Sequence, residues 1–176
     1  MASSFLTSFL VSFLLSILLF TSTNVKGDLV TDVCVNALDP SLCEKLIRSD
    51  PRSNKTTNLE TLGAITFNLT IPLVKSTISM VFSLRDNAAD PTLKGLYQQC
   101  AAHYTDADMR IIFGKGAFFH KDTVDVFEFL SQSIYNLQAC DNSFSKQKLD
   151  EDEKLKQDSL SLQNLCTAIK SMASHL

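Results

Sequence analysis

The fold is decided by an amphipathic stretch in the middle of the chain, DPTLKGLYQQCAAHYTDADMRII (Asp90–Ile112). Asp90 followed by Pro91 places a capping side chain and a proline at the first helical position, which favours a helix start. We expect this helix to end near Gly114 and Gly116. Apolar side chains recur along it at helical spacing, so one face of the helix is predicted to meet a core: Leu93, Leu96, Tyr97, Cys100, Tyr104, Ala107 and Ile111.

A second long helix is predicted upstream. Thr57 and Glu60 match a capping box, with Thr57 as the cap and Glu60 reaching back to it. Pro72 falls inside this helix and removes one backbone donor, so we expect a kink there. The apolar positions again follow helical spacing: Leu59, Leu62, Ile65 or Phe67, Leu69, Leu73 or Val74, Ile78 and Val81.

Two further helices are predicted downstream. Asp122 caps one of them, and we expect Cys140 to end it and residues 141–149 to form a polar connection. The acidic run Asp150–Glu153 suits the N-terminus of the last helix, because carboxylates are stabilised by the positive end of the helix dipole. We expect the first of these helices to bury Val124, Phe127, Leu130, Ile134 and Leu137, and the last to bury Leu155, Leu162, Leu165, Cys166, Ile169, Met172 and Ala173.

The beginning of the predicted domain contains a short helical hairpin. Asp39-Pro40 starts a helix that runs to about Ser49, and Cys34 and Cys43 lie on either side of this start. A hairpin closed by that cysteine pair is the simplest interpretation. Because the long helices are joined by short connections, we predict an all-α, up-down-up-down four-helix bundle with this N-terminal helical hairpin.

The chain contains five cysteines, so at least one has no intramolecular partner. Cys100 and Cys140 lie in neighbouring antiparallel helices, which could bring them together. Cys166 lies on the apolar face of the last helix, where it fits a buried small hydrophobe and a free thiol. An intermolecular disulfide is the alternative for Cys166.

Residues 1–27 are predicted to be a signal peptide and residues 28–176 the folded domain. The first 25 residues are apolar or uncharged, and Lys26 is the first charged side chain. A membrane anchor is the alternative, but the apolar stretch is short for a span. Export implies an oxidising compartment, hence disulfides. Two sequons then predict glycosylation at Asn54, in a polar stretch, and at Asn68, in a predicted helix.

The composition excludes several function classes. Lys and Arg total 16 against 19 Asp and Glu, so no basic excess points to nucleic acid. The sequence contains neither a nucleophile elbow nor a phosphate-binding glycine loop. It also has no Cys-x-x-Cys motif and no cluster of histidines, so nothing indicates a zinc site. Asp106 and Asp108 lie two residues apart, so they do not share a helix face and fit solvent-facing charges or a partner contact. We therefore expect no metal, no cofactor and no catalytic residue.

An ordered set of motifs resembles the plant invertase/pectin methylesterase inhibitor family. The set covers the chain from about Asp28 to Leu176, and its parts are Asp39-Pro40-Ser41-Leu42-Cys43, Ser49-Asp50-Pro51-Arg52-Ser53, Asp90–Cys100 with Tyr104, Ala139-Cys140-Asp141-Asn142-Ser143-Phe144 and Gln163-Asn164-Leu165-Cys166. The resemblance implies the hairpin-plus-bundle fold and the disulfides Cys34–Cys43 and Cys100–Cys140. It also implies a protein that blocks a carbohydrate enzyme and is not itself an enzyme.

The family has two branches. Members of the invertase branch carry the motif Pro-Lys-Phe at the start of the second long helix. At the corresponding positions this chain has Pro91-Thr92-Leu93. Acidic contacts of the esterase branch fall here on Ala102, Asp106 and Met109, of which Asp106 keeps the charge. No histidine lies among these predicted contacts, so we expect any pH dependence of binding to come from carboxylates such as Asp106.

These observations predict a secreted inhibitor of pectin methylesterase that binds the enzyme's active-site cleft in a 1:1 complex. The alternative is an inhibitor of cell-wall or vacuolar acid invertase. The expected location is the apoplast, with the vacuole as the alternative. We expect no nucleic-acid partner and no membrane association after signal cleavage.

Overall fold

The structure is a computed structural model that describes residues 28–176. Within that range the chain forms α-helices and one short 3-10 helix, with no β-strand. The signal peptide predicted for residues 1–27 lies outside the described residues. The helices are α1 (Leu29–Cys34), α2 (Pro40–Arg48), the 3-10 helix (Ser53–Lys55), α3 (Leu59–Asn87), α4 (Pro91–Phe119), α5 (Thr123–Gln147) and α6 (Glu153–Ala173).

The four long helices, α3 to α6, form the predicted bundle. Residues 88–90, 120–122 and 148–152 connect them. These connections are short, so consecutive long helices run antiparallel. Each long helix packs against the next, and α6 closes the ring against α3. The hairpin of α1 and α2 packs against α6. The predicted fold class is confirmed.

Aspartate side chains fix the helix starts where the sequence predicts them. Asp39 accepts a hydrogen bond from the Leu42 amide at 2.9 Å. Asp90 accepts from the amides of Thr92 and Leu93 at 2.7 and 3.0 Å. Each bond satisfies an amide that the first helical turn leaves unpaired. The capping predictions for α2 and α4 are confirmed, and Asp122 and Asp152 cap α5 and α6 in the same way.

The predicted capping box of α3 is wrong by one residue. Asn58, not Thr57, is the cap, and its side chain accepts a hydrogen bond from the Thr61 amide at 3.0 Å. The Glu60 carboxylate instead lies 3.3 Å from the Lys121 ammonium group, in the connection between α4 and α5. Both residue types cap helices well, so the sequence alone did not separate Asn58 from Thr57.

The predicted ends of α4 and α5 are also wrong. α4 continues past Gly114 and Gly116 to Phe119, and the chain turns at Lys121, whose φ of 60° is left-handed. Gly114 serves close packing: a Cβ there would lie 3.0 Å from the Leu130 side chain of α5. α5 continues past Cys140 to Gln147, because Phe144 is buried and its ring lies 5.3 Å from that of Tyr97.

The inward face of α5 differs from the prediction at its first turns. Val124 and Phe127 are exposed, and Val126 is buried in their place. The aromatic ring of Phe127 lies beneath the Lys170 ammonium group of α6, 5.2 Å from ring centre to nitrogen. The predicted stripe is therefore out of register at its beginning. Leu130 and Leu137 are buried as predicted.

Pro72 does not interrupt α3, which is one helix from Leu59 to Asn87. Pro72 is exposed, so the backbone carbonyl that loses its helical donor lies on the solvent side. By length and composition alone α3 could cross a membrane, but here it is a core helix of the bundle. The buried hydroxyls of Thr66 and Thr70 donate to the carbonyls of Leu62 and Thr66, so they need no outside partner.

Two disulfides tie these helices. Cys34 is bonded to Cys43 and Cys100 to Cys140, with Cα–Cα distances of 5.7 and 4.8 Å. The first closes the hairpin, and the second joins α4 to α5. Cys166 has no sulfur partner within residues 28–176 and is fully buried. Burial raises the pKa of its thiol to about 12, so it is a packed hydrophobe rather than a reactive group.

Candidate functional site: a face formed by α4 and α5

Ala102, Asp106 and Met109 lie along one stripe of α4. Their spacing of four and three residues places them on one helix face. Ala102 is exposed, Met109 is 47% exposed, and the Asp106 side chain is 36% exposed. The structure therefore brings the three predicted contact residues together on the surface. We call the surface that this stripe forms with its neighbours on α4 and α5 the contact face. Those neighbours are Phe113 of α4 and Phe129 and Asn136 of α5.

Asp106 is held by side chains from both helices. The Asn136 side-chain amide of α5 donates to Asp106 Oδ2 at 2.6 Å. Arg110 Nε lies 3.8 Å from Asp106 Oδ1, one helical turn along α4. The first contact is a short charge-assisted hydrogen bond, whereas the second is a loose ion pair.

His103 joins the same group of side chains. Its Nδ1 lies 3.1 Å from Asn136 Oδ1. The histidine also lines an open pocket of about 310 Å³ between the two helices, together with Tyr135 and Gln138 of α5. Neither His103 nor Asn136 was predicted from the sequence, because Asn136 lies 30 residues beyond Asp106 and no motif links them. A histidine therefore does lie beside the predicted contacts.

The other half of the contact face is apolar. Phe113 is 55% exposed and follows Met109 by one turn of α4. The ring of Phe129 from α5 lies 5.6 Å from the Phe113 ring, so two aromatic side chains cover the seam between the helices. A surface with apolar aromatics beside a fixed carboxylate has the composition of a protein–protein interface.

Asp108 lies elsewhere. One of its carboxyl oxygens is buried without a hydrogen-bond partner in the described part of the chain, whereas a solvent-facing charge or a partner contact was predicted from the sequence. Burial raises the pKa of Asp108, and the nearby charge of Lys75 on α3 opposes that rise. The prediction that Asp106 and Asp108 do not act as a pair is consistent with this geometry.

A second polar cluster lies where α5 and α6 are connected, and we call it the acidic junction. It consists of Asp141, Glu151, Tyr104 and Ser159. Ser159 Oγ donates to Asp141 Oδ2 at 2.9 Å, while Asp141 Oδ1 and the Tyr104 hydroxyl are buried without a hydrogen-bond partner among residues 28–176. Burial and the charge of Asp141 raise the pKa of Glu151 to about 7.

The acidic junction lacks a complete set of metal ligands among the described residues. Oxygens of Asp141 and Glu151 and the sulfur of Cys140 lie within 4.8 Å of one another. Cys140 is bonded to Cys100, so its sulfur is not a thiolate ligand. Two carboxylates remain, fewer than a dedicated protein site for Ca²⁺ supplies.

The sequence and the fold have counterparts in known proteins. The family model described as plant invertase/pectin methylesterase inhibitor matches residues 28–172. The chain belongs to this family, as its motifs predict. It is 30% identical over 148 residues to a pectinesterase inhibitor from Actinidia deliciosa, covering 84% of this chain and 79% of that protein.

A second relative agrees with this assignment, and two solved structures share the fold. The chain is 24% identical over 129 residues to pectinesterase inhibitor 2 from Arabidopsis thaliana, covering 73% of this chain and 74% of that one. A crystal structure titled mutant form A of a pectin methylesterase inhibitor from Arabidopsis superposes with a TM-score of 0.75 at 20% identity, covering 84% of this chain and 96% of that one. Another pectin methylesterase inhibitor from Arabidopsis thaliana gives a TM-score of 0.65 at 20% identity, covering 84% and 95%. The two structures support the bundle fold.

Proposed function

We propose that this protein is a secreted inhibitor of pectin methylesterase, which seats its α4–α5 contact face across the enzyme's active-site cleft. The family assignment and the two pectinesterase-inhibitor relatives support the choice of target. The observation that carries the choice of surface is the exposed stripe of Ala102, Asp106 and Met109, with Asp106 already fixed by Asn136. The protein performs no chemistry of its own in this proposal.

The second disulfide makes the contact face rigid. Cys100 lies two residues before Ala102 on α4, and Cys140 lies one turn after Asn136 on α5. The bond therefore locks the two helices beside the stripe. A rigid surface loses little conformational freedom on binding, so more of the contact energy appears as affinity.

The side chains of the face suit a polar polysaccharide-binding cleft. Phe113 and Met109 supply apolar area, and Asp106 supplies one acceptor for a cationic or hydrogen-bonding group of the enzyme. One such face on each molecule supports a 1:1 complex. Met109 replaces an acidic residue of the esterase branch, so we expect Asp106 to be the main charged contact.

We further propose that residues 1–27 are a signal peptide and that the protein acts in the apoplast. Asn54 and Asn68, the two sequon asparagines, are exposed on the folded domain. Asn54 Oδ1 accepts a hydrogen bond from Arg48 at 2.9 Å, and a glycan would attach to the other amide atom, Nδ2, so the two are compatible. Glycosylation at either position is therefore compatible with the fold.

A parallel inhibition assay tests the proposed target. The 176-residue chain is expressed in a secreting eukaryotic host, and its new N-terminus and glycans are determined by mass spectrometry. The product is titrated against a plant pectin methylesterase and an acid invertase at acidic and neutral pH. Loss of methyl-ester hydrolysis alone supports the proposal. Loss of sucrose cleavage alone contradicts it and moves the contact to Pro91-Thr92-Leu93, and inhibition of neither enzyme also contradicts it.

Asp106→Lys tests the contact face itself. Reversing this charge removes the acceptor and adds repulsion, so we expect binding to pectin methylesterase to weaken by about 2 kcal/mol or more, which is at least roughly 30-fold. Asp86→Lys is the control, because Asp86 is an exposed aspartate on α3 paired with Arg85 at 2.7 Å. Equal effects of the two substitutions would show that the contact face is misplaced.

A further inference from the structure

The hydrogen bonds of Asn136 fix the orientation of its side-chain amide. Its Nδ2 group faces two acceptors, Asp106 Oδ2 at 2.6 Å and the Gln132 carbonyl at 3.1 Å. Its Oδ1 faces His103 Nδ1 at 3.1 Å. The reverse orientation would place the amide oxygen against a carboxylate and a carbonyl, so it is excluded by repulsion.

This orientation also fixes the tautomer of His103. Asn136 Oδ1 is an acceptor, so His103 Nδ1 carries the hydrogen. The Nδ1 hydrogen is present in the neutral and in the protonated ring alike. The chain of hydrogen bonds from His103 through Asn136 to Asp106 therefore persists in both charge states of the histidine.

We propose that Asn136 is a positioning residue, which, with His103, holds the Asp106 carboxylate in the orientation that the target enzyme receives. This inference rests on the proposed function and assigns a role to two residues that themselves need not touch the enzyme. Asn136 occupies Oδ2 of Asp106 and leaves Oδ1 for the partner. Arg110 at 3.8 Å is too distant for a hydrogen bond, so a donor of the enzyme takes Oδ1 without breaking a strong contact.

The energetic consequence is a lower entropic cost of ordering the Asp106 side chain when the enzyme binds. A free surface aspartate samples several rotamers, and a binding partner must select one of them. Asn136 has already selected it in the unbound protein. Because its contribution acts only through Asp106, it disappears when Asp106 is removed.

A double-mutant cycle on the secreted full-chain protein tests this role. We expect Asn136→Ala to weaken inhibition of pectin methylesterase about 3- to 10-fold, the effect of one side chain that must be ordered. Asp106→Ala should weaken it roughly 30-fold. The double variant should match Asp106→Ala within about twofold. Asn87→Ala is the matched control, because the Asn87 amide bonds only to Ser83 within α3.

A second measurement separates this inference from the proposed function. NMR couplings of the unbound protein report the χ1 rotamers of Asp106. We expect one rotamer in the original protein and a mixture in Asn136→Ala, with a thermal unfolding midpoint that is unchanged or only slightly lower. Independent effects in the cycle, or a single rotamer in both proteins, would overturn the positioning role. If the original protein does not inhibit pectin methylesterase at all, the proposed function fails, and the rotamer measurement alone decides the positioning role.

Discussion

The contact face and the acidic junction use similar side chains in opposite environments. On the contact face, the Asp106 carboxylate is partly exposed and receives a hydrogen bond from Asn136. At the acidic junction, Asp141 Oδ1 and the Tyr104 hydroxyl are buried without partners, and the Glu151 carboxyl lies beside them. The first region exposes a hydrogen-bonded charge at the surface, whereas the second buries polar groups at a cost in free energy. We therefore expect substitutions in the first region to change binding, and substitutions in the second to change stability and its pH dependence.

The largest expected effect comes from the disulfide that touches both regions. Removing Cys100–Cys140 by a double alanine substitution should lower the free energy of unfolding by about 4 kcal/mol, the chain-entropy value for its loop. That loop spans 40 residues, whereas the hairpin disulfide Cys34–Cys43 spans 9. Urea unfolding measures the change.

The hairpin disulfide is the natural control for this prediction. The same model gives about 2.6 kcal/mol for its loss. Both double variants should fold. Inhibition per folded molecule should fall in the variant that lacks Cys100–Cys140 and stay the same in the variant that lacks Cys34–Cys43. Equal losses of inhibition per folded molecule would show that the bond does not stiffen the contact face.

The next effect is the pH dependence that Glu151 adds to stability. Its pKa rises from an ordinary 4.5 to about 7, through burial first and the charge of Asp141 second, with Lys156 opposing and Asp152 adding to the rise. The folded state therefore holds the proton more tightly than the unfolded chain. The raised pKa of Glu151 therefore increases the free energy of unfolding. This stabilisation is fully present below pH 4.5 and is lost as the pH rises through about 7. Because Glu151 is half-buried, solvent screening reduces the contribution to about 1–2 kcal/mol.

Glu151→Gln makes this prediction measurable. The amide has no charge to lose, so the free energy of unfolding should fall less between acidic and neutral pH than in the original protein. Asp141, whose pKa burial also raises, keeps part of the dependence because the two carboxyls titrate together. Glu153→Gln, an exposed acid two residues further on, should leave the slope unchanged. Parallel slopes for all three proteins would contradict a buried Glu151.

The smallest effect has the opposite sign. Tyr104→Phe removes a buried hydroxyl that has no hydrogen-bond partner, so we expect the protein to become more stable by about 1 kcal/mol. Asn136→Ala, which removes a satisfied group from the contact face, should instead leave stability unchanged or lower it slightly. Thermal unfolding compares the two. A loss of stability in Tyr104→Phe would show that the hydroxyl forms a bond in solution.

The elements that the sequence predicted best are those set by local chemistry. The starts of α2, α4 and α5 follow from aspartate caps, the start of α6 follows from its acidic run, and the buried face of α4 follows from its helical spacing. The helix ends were predicted poorly. Gly114 is needed for packing against Leu130 and does not end the helix. The turn is made by Lys121 in the left-handed conformation, which is uncommon for lysine and is therefore not indicated by the residue type.

The polar contacts between segments that are distant in the sequence could not be predicted from local sequence patterns. Asn164 is fully buried in α6, where its side chain accepts a hydrogen bond from the Asp39 amide at 2.8 Å and so ties the hairpin to the bundle. The two residues lie 125 positions apart. Asn136 and Asp106 pose the same difficulty on the contact face. The stripe on α4 was predictable from resemblance, but the side chains of α5 that hold it required the packed structure.

Oxidative footprinting by hydroxyl radicals, with and without pectin methylesterase, tests the central claim most directly. Met109, Phe113 and Tyr135 are exposed and oxidisable on or beside the contact face, while Phe82 and Leu149 are exposed elsewhere. We predict that saturating enzyme protects Met109 and Phe113 strongly and leaves Phe82 and Leu149 unchanged. Protection of Leu149 or Phe82 with Met109 still fully reactive would show that the protein binds its target through another surface.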